Sequence, residues 1–357
     1  MVDNLLASTQ ASKQASKQAS KQASKQARLN YLDVYKGIAI VFVIFTHFSW
    51  TSSQKLLMLF PFGIDMAVPI FMTITGYVSC LSLERKNSSL LSCYASIGII
   101  VKWLRFIIPF IPAWILTVIA RIVGKGESFS VGEIFCDFVA GGTGPGSYYF
   151  PVMLQVTLLM PVIWIIIKKN PLRGIIICFV VNVLFELIKT LINMDPEIYR
   201  ICSLRYIFIL GYGCFLHYHK SEQEHCKWCY YLVGAIGAVY IFVFNYKDFR
   251  PIITNQWTET SVFAVLFIIP IMKMLIDMTK VHNRLFELLG QASFNIFLVQ
   301  MVFFFAGAQI VYKYVSSTIL QIIFIIVACC FGGVLYYKIE NPITQFIIKR
   351  IRNDTRY

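Results

Sequence analysis

Hydrophobic positions in this chain gather into ten long blocks, at residues 34–50, 64–83, 97–123, 150–167, 174–192, 201–215, 229–244, 262–278, 285–312 and 318–337. Most approach the ~20 residues that an α-helix needs to cross a ~30 Å hydrocarbon layer. The blocks do not alternate apolar and polar residues with period two, which argues against the strands of a membrane barrel. The pattern predicts an all-α polytopic transmembrane helical bundle of about ten helices. Blocks 201–215 and 229–244 are the shortest.

Composition agrees. Of the 357 residues, 57% are hydrophobic and only 14% charged, against about 25% charged in soluble domains. Mean hydropathy is +0.67. A net charge of +14 would suit a nucleic-acid partner, but its distribution points elsewhere. With a cytoplasmic N-terminus, inner connections carry Lys168, Lys169, Arg173, Lys280, Arg284, Lys349 and Arg350, besides the basic N-terminal stretch. Outer ones hold Lys55, Arg121, Lys125, Lys189, Arg200, Lys247, Arg250 and Lys313, several beside Asp or Glu. That is the positive-inside pattern, with both termini cytoplasmic and no nucleic acid implied.

Residues 11–26 are four copies of Ala-Ser-Lys-Gln with no apolar stripe to bury. Residues 1–30 therefore read as a low-complexity basic tail that touches anionic lipid. Residues 31–342 form one membrane domain, and 343–357 a second basic cytoplasmic tail. The outer connection 124–147 contains Gly141-Gly142-Thr143-Gly144-Pro145-Gly146. It lacks the Walker Lys-Ser/Thr ending, so it is expected to be a mobile outer loop rather than a phosphate cradle. His217, His219, His225, Cys226 and Cys229 cluster, but their spacing is irregular and no second Cys-x-x-Cys follows, so no metal is expected.

Polar residues inside the apolar blocks carry the chemistry. Between Lys36 and His47 stand only apolar residues, Gly37 and Thr46. Eleven residues at 100° each put both side chains on one helical face, about 16 Å apart along the axis. Asp33 lies on the same stripe. Singly, Lys36 reads equally well as a snorkelling anchor and His47 as a satisfied core residue. Together they predict a site, because ionisable groups within a membrane are costly and mark function. In the second block Pro69 is expected to break the helical hydrogen-bond ladder, and Thr75-Gly76 to admit a close neighbour. Lys102 and Arg105 share a face at the cytoplasmic surface, as interfacial anchors or, beside Lys36, as phosphate contacts.

Arg28-x-x-x-Leu32-Asp33-x-x-Lys36-Gly37-Ile38-Ala39-Ile40, followed by His47, resembles the opening of the acyltransferase family 3 membrane proteins. Val68-Pro69-Ile70-Phe71 through Thr75-Gly76-Tyr77 is similar to that family's Val-Pro-Leu-Phe-Phe…Ser-Gly-Tyr/Phe element, and Lys102-x-x-Arg105 to its Arg-x-x-Arg. Ser147-Tyr148-Tyr149-Phe150 with Pro161 resembles the start of the family's fourth helix. Leu289-Gly290-x-x-Ser293-Phe294-x-Ile296-Phe297-Leu298 and Ile339-Glu340-Asn341-Pro342 match its closing helices. Six such elements in order across residues 28–342 are specific, and Val-Pro resembles the glycan O-acetyltransferase branch. Two departures stand out: Lys102 replaces Arg, and Gln300 stands where many members have His.

The resemblance implies an O-acyltransferase of the bacterial plasma (inner) membrane. It would move an acetyl or other short acyl group from cytoplasmic acetyl-CoA, a co-substrate, onto an envelope glycan or lipid-linked sugar. Catalysis is expected at His47 with Asp33, and donor phosphates near Lys36, Lys102 and Arg105. Asp65, Thr75, Tyr148, Tyr149 and Glu340 are candidate substrate-binding or structural residues. An imidazole titrates near neutrality, which suits a general base on a sugar hydroxyl; an acyl-imidazole on His47 is the alternative chemistry. No Gly-x-Ser-x-Gly element appears, which disfavours a serine acyl-enzyme. A secondary transporter or lipid-linked glycan flippase would also use charged, kinked helices. It would often show two similar halves, and neither the Lys…His helix nor Val-Pro-Ile-Phe recurs. A structural subunit without chemistry would leave the Lys36/His47 face unexplained.

Overall fold

A computed structural model describes residues 30–85, 90–94, 96–219, 227–247 and 261–354, and among them every regular element is helical. The longer helices are α1 (30–46), α2 (Ala67–Arg85), α3 (Ser96–Lys125), α4 (Val131–Ala140), α5 (Tyr149–Lys169), α6 (Pro171–Leu191), α7 (Ile207–Tyr218), α8 (Lys227–Tyr246), α9 (Ile268–Asp277), α10 (Arg284–Gln291), α11 (Ser293–Val302) and α12 (Thr318–Asp354). Among the described residues, seven helical stretches are long and apolar enough to cross a membrane: Phe60–Arg85, Leu90–Lys125, Tyr149–Lys169, Pro171–Leu191, Trp228–Tyr246, Ser293–Tyr314 and Thr318–Asp354.

Three expected blocks fold differently, one as a shifted helix and two as shorter ones. Block 34–50 gives α1, which stops at residue 46. Block 201–215 gives the 12-residue α7, because Ser203–Tyr206 winds as a 3₁₀ turn around the buried Arg205. Block 262–278 gives the 10-residue α9 after a 3₁₀ turn at Ala264–Leu266. The stretch from residue 343, expected as a basic cytoplasmic tail, is helical to Asp354 as the end of α12.

Close backbone contact sets the packing. A Cβ at Gly76 would lie 2.1 Å from the Leu210 carbonyl oxygen, and one at Gly213 2.1 Å from that of Thr73, so α2 and α7 touch backbone to backbone. Gly37 and Gly290 do the same for α1 and α10. Small residues are the usual means of such approach between membrane helices. The last turns of α2, α5 and α7 meet, with His217 against Glu84 and the Trp164 indole donating to the Tyr218 hydroxyl at 2.9 Å. Outward faces carry Leu116, Leu184, Val327 and Phe331, all exposed, as lipid contact requires.

Pro69 does not break a helix. It is the third residue of α2, where a missing N–H costs little because first-turn amides have no intrahelical partner. The expected kink is instead a helix start, preceded by 3₁₀ turns at Phe60–Phe62 and Ile64–Met66. Farther along, α11 passes into a π-turn at Phe303–Gly307 before the helix resumes at Ala308–Tyr314. On the outer connection, α4 opens with a capping box between Ser130 and Glu133. Hydrogen bonds from the Ser130 backbone amide and hydroxyl hold the Glu133 carboxyl below the usual carboxylate range.

Candidate functional site

The end of α1 displays His47. Carbonyls left over at a helix terminus need donors when the surroundings are apolar. Here the Thr46 hydroxyl donates to Val43 at 2.8 Å, the His47 amide to Ile44 at 3.2 Å, and the Trp50 indole to Phe45 at 2.8 Å. The chain thus turns immediately after Thr46 and leaves the imidazole of His47 beside Phe304, 5.9 Å between ring centroids in edge-to-face geometry.

One cavity of about 680 Å³ runs along this helix. Lys36, Ile40, Val43 and His47 line it from α1 and its end. Ile64, Val68, Phe71 and Thr75 line it from α2 and the turn before it. Both sets are spaced by four, three and four residues, the signature of one helical face. Phe106 from α3, Ser293, Phe294 and Phe297 from α11, and Tyr148 and Tyr149 at the start of α5 complete the wall. Beyond His47 the lining turns polar, with Lys55, Asp65, Glu197 and Arg200.

The structure brings Lys36 and His47 to one cavity and places Asp33 with Lys36. Their ion pair measures 2.5 Å, and Asp33 is not part of the lining. Fourteen residues separate Asp33 from His47, roughly 21 Å of helix, so the two are not direct partners. Asp65, Thr75, Tyr148 and Tyr149 all line the cavity; Lys102 and Arg105 do not, although the next residue, Phe106, does. Arg105 is exposed and faces the charge of Arg352. Glu340 is buried away from the cavity, accepting from the Asn295 amide at 3.1 Å and from the Thr344 hydroxyl, and so ties α11 to α12.

Sequence reasoning missed Lys55, Glu197 and Arg200. Arg200 makes two hydrogen bonds to Glu197, at 2.9 and 3.0 Å, and lies over the Tyr148 ring at 5.2 Å. Behind Tyr148 is a polar knot in which Glu186 pairs with Lys189 at 3.4 Å and accepts from the Tyr199 hydroxyl at 2.7 Å. Buried charges persist only with such partners.

The glycine run, expected as a mobile outer loop, is packed against the site. Gly141, Gly142, Gly144 and Gly146 all have positive φ, at 98°, 75°, 133° and 82°, a region that favours glycine. A Cβ at Gly144 would sit 2.7 Å from Met301, and one at Gly146 2.7 Å from Phe297 and 3.8 Å from Nε2 of His47. Pro145 and Gly146 line the cavity. Gln300 is buried and points its amide at the Pro145 carbonyl, 3.5 Å away.

Among the described residues, no group of three or more His, Cys, Asp or Glu side chains has the geometry to hold a metal ion. His225 and Cys226 lie outside the described residues.

A family model described as an acyltransferase domain matches residues 29–338. No curated protein and no solved structure matches the chain.

Proposed function

The chain belongs to acyltransferase family 3 and is a multi-pass membrane acyltransferase; we propose that it transfers an acetyl or other short acyl group from cytoplasmic acyl-CoA to a hydroxyl of a cell-envelope carbohydrate. One observation carries this reading: a single cavity joins a cation, Lys36, to an imidazole, His47, and then to a polar mouth at Lys55, Glu197 and Arg200. A reaction that draws its donor from one side of a membrane and its acceptor from the other needs such a passage.

In this reading the donor's phosphates lie at the Lys36 end, where Ser293, the first residue of α11, adds the positive pole of a helix. Lys102 and Arg105 act outside the cavity, drawing the anionic donor to its entrance. Phe71, Phe106, Phe294 and Phe297 make an apolar wall that excludes water from the thioester. His47 accepts the proton of the acceptor hydroxyl as its oxygen attacks the thioester carbonyl. The new C–O bond forms, the C–S bond breaks, and the imidazolium returns its proton to the departing thiolate. The hydroxyls of Thr75 and Tyr149 are the nearby donors for the oxyanion. Both termini are cytoplasmic and the protein resides in the bacterial inner membrane. Reporter fusions at Gly141 and Lys168 should accordingly report opposite sides.

Release of free thiol from acetyl-CoA by the protein in nanodiscs, supplied with an envelope-glycan extract, tests the reaction. Lys36→Ala should raise the KM for acetyl-CoA about tenfold and lower kcat far less, because a phosphate contact exists in ground and transition states alike. An unchanged KM would reduce Lys36 to the partner of Asp33. No thiol release above that of empty nanodiscs would refute the acyl-CoA reading.

A further inference from the structure

The loop that covers His47 is held by a polar network outside the cavity. Arg121 near the end of α3 pairs with Asp137 of α4 at 2.8 Å, and its Nε donates to Glu127 at 2.8 Å. The Thr143 hydroxyl bridges this pair: it accepts from Nη1 of Arg121 at 3.1 Å and donates to Oδ1 of Asp137 at 3.1 Å. The second Asp137 oxygen accepts from the Trp114 indole at 2.8 Å, so α3 holds both carboxylate oxygens, one through Arg121 and one through Trp114. The Gly142 amide donates to the Asp137 carbonyl at 2.7 Å, and Gly142 packs on Trp114. Three residues after Thr143, Gly146 lies close enough that a Cβ there would be 2.7 Å from Phe297 and 3.8 Å from Nε2 of His47, and its carbonyl accepts from the Tyr149 amide at 2.8 Å to open α5.

We propose that Thr143, Arg121 and Asp137 are positioning residues, a latch that seats the 143–146 loop against His47 and so sets the imidazole's access and orientation. None of the three lines the cavity, so none is expected to touch either substrate. Their effect passes through Gly146. Charge-assisted hydrogen bonds suit the task, because they are directional and stronger than neutral ones where water is scarce. The hydroxyl of Thr143 is the one link from the loop's own side chains to the Arg121–Asp137 pair among the described hydrogen bonds.

The consequence for acyl transfer rests on the function proposed above, but the latch is testable without it. Diethyl pyrocarbonate modifies exposed imidazole nitrogen, and peptide mass spectrometry of the full-length protein in nanodiscs resolves His47 from the other histidines. Thr143→Val, close in shape but without the hydroxyl, should carbethoxylate at His47 about fivefold faster or more, the population shift expected for losing the hydrogen bonds that the hydroxyl makes to Arg121 and Asp137. Thr143→Ser should restore the wild-type rate. Asp137→Asn, which removes the ion pair while keeping the side chain's shape, should give a similar increase and decides the matter if Thr143→Val does not fold. Equal His47 modification in wild type, Thr143→Val and Asp137→Asn overturns the proposal. In the transfer assay Thr143→Val should lose about tenfold in kcat while the KM for acetyl-CoA stays within about twofold, the split expected of a group that acts on the reacting end. Faster modification in a protein whose wild type releases no thiol from acetyl-CoA would uphold the latch and refute the donor instead.

Discussion

Replacing His47 by Ala or by Gln should abolish acyl transfer while leaving the protein inserted and folded. The imidazole lies at the end of α1, where the chain has already turned, so no helical hydrogen bond depends on its side chain. Its ring contact is with Phe304, a weak packing interaction that Gln can partly replace. Loss of a general base typically costs 10²–10⁴-fold in rate, about 3–5 kcal/mol of barrier, whereas loss of a packing contact appears as lowered stability. Gln matters most here, since it fills similar space and hydrogen-bonds but cannot take a proton at neutral pH. Turnover of the Gln variant within about threefold of wild type, at equal protein level, would make His47 a strut and not a base.

Adding one methyl group at Gly37 or Gly290 should be the most damaging change to the fold near the site. Their Cβ atoms would lie 2.1 Å from the Phe286 carbonyl oxygen and 1.8 Å from that of Asp33, and neither obstacle is a side chain that can swing away. Overpacking ordinarily costs about 1–3 kcal/mol, and contact with backbone on both helices puts these positions at or above the upper end. Gly37→Ala and Gly290→Ala should lose most monodisperse protein on size-exclusion chromatography or melt several degrees lower in detergent. Gly98→Ala is the control: it has open space around it and gains helix propensity, so it should melt at or above wild type. A wild-type melting curve for Gly37→Ala would mean that α1 and α10 do not pack as closely as described.

The cavity face of α1 was legible in the sequence, because Lys36 and His47 interrupt an otherwise apolar stripe and helical period fixes their relative direction. The matching face of α2 was legible in part, through Thr75 and the Val68-Pro69 element. Lys102 and Arg105 show where such reasoning stops. The helix that bears them is apolar on nearly all sides, so periodicity cannot say which face meets the cavity, and Phe106 rather than either cation faces it. Pro69 misled for a related reason: apart from Asp65 the 3₁₀ turns before α2 are built from apolar residues and cannot be told from helix by hydropathy. The seating of the glycine loop on Met301, Phe297 and His47 joins residues about 100 to 160 positions apart. Positive φ can be suspected from a glycine run, but its partner cannot. Residues 11–26, with their repeat, lie outside the described residues.

The π-turn at Phe303–Gly307 makes this part of the molecule sensitive to chain length as well as to residue identity. A π-turn carries one residue more than the α-helical turn it interrupts. Deleting a single residue between 303 and 307 would let the segment close into unbroken α-helix, and because the π-turn had absorbed that residue, Ala308–Tyr314 beyond it would keep its phase. Phe304 packs on Phe48 and His47 from within that turn. A frame-preserving deletion of one codon there would therefore spare the helix beyond and reseat the phenylalanines of the turn itself, the ring beside the imidazole among them, although every side chain named at the cavity would still be encoded.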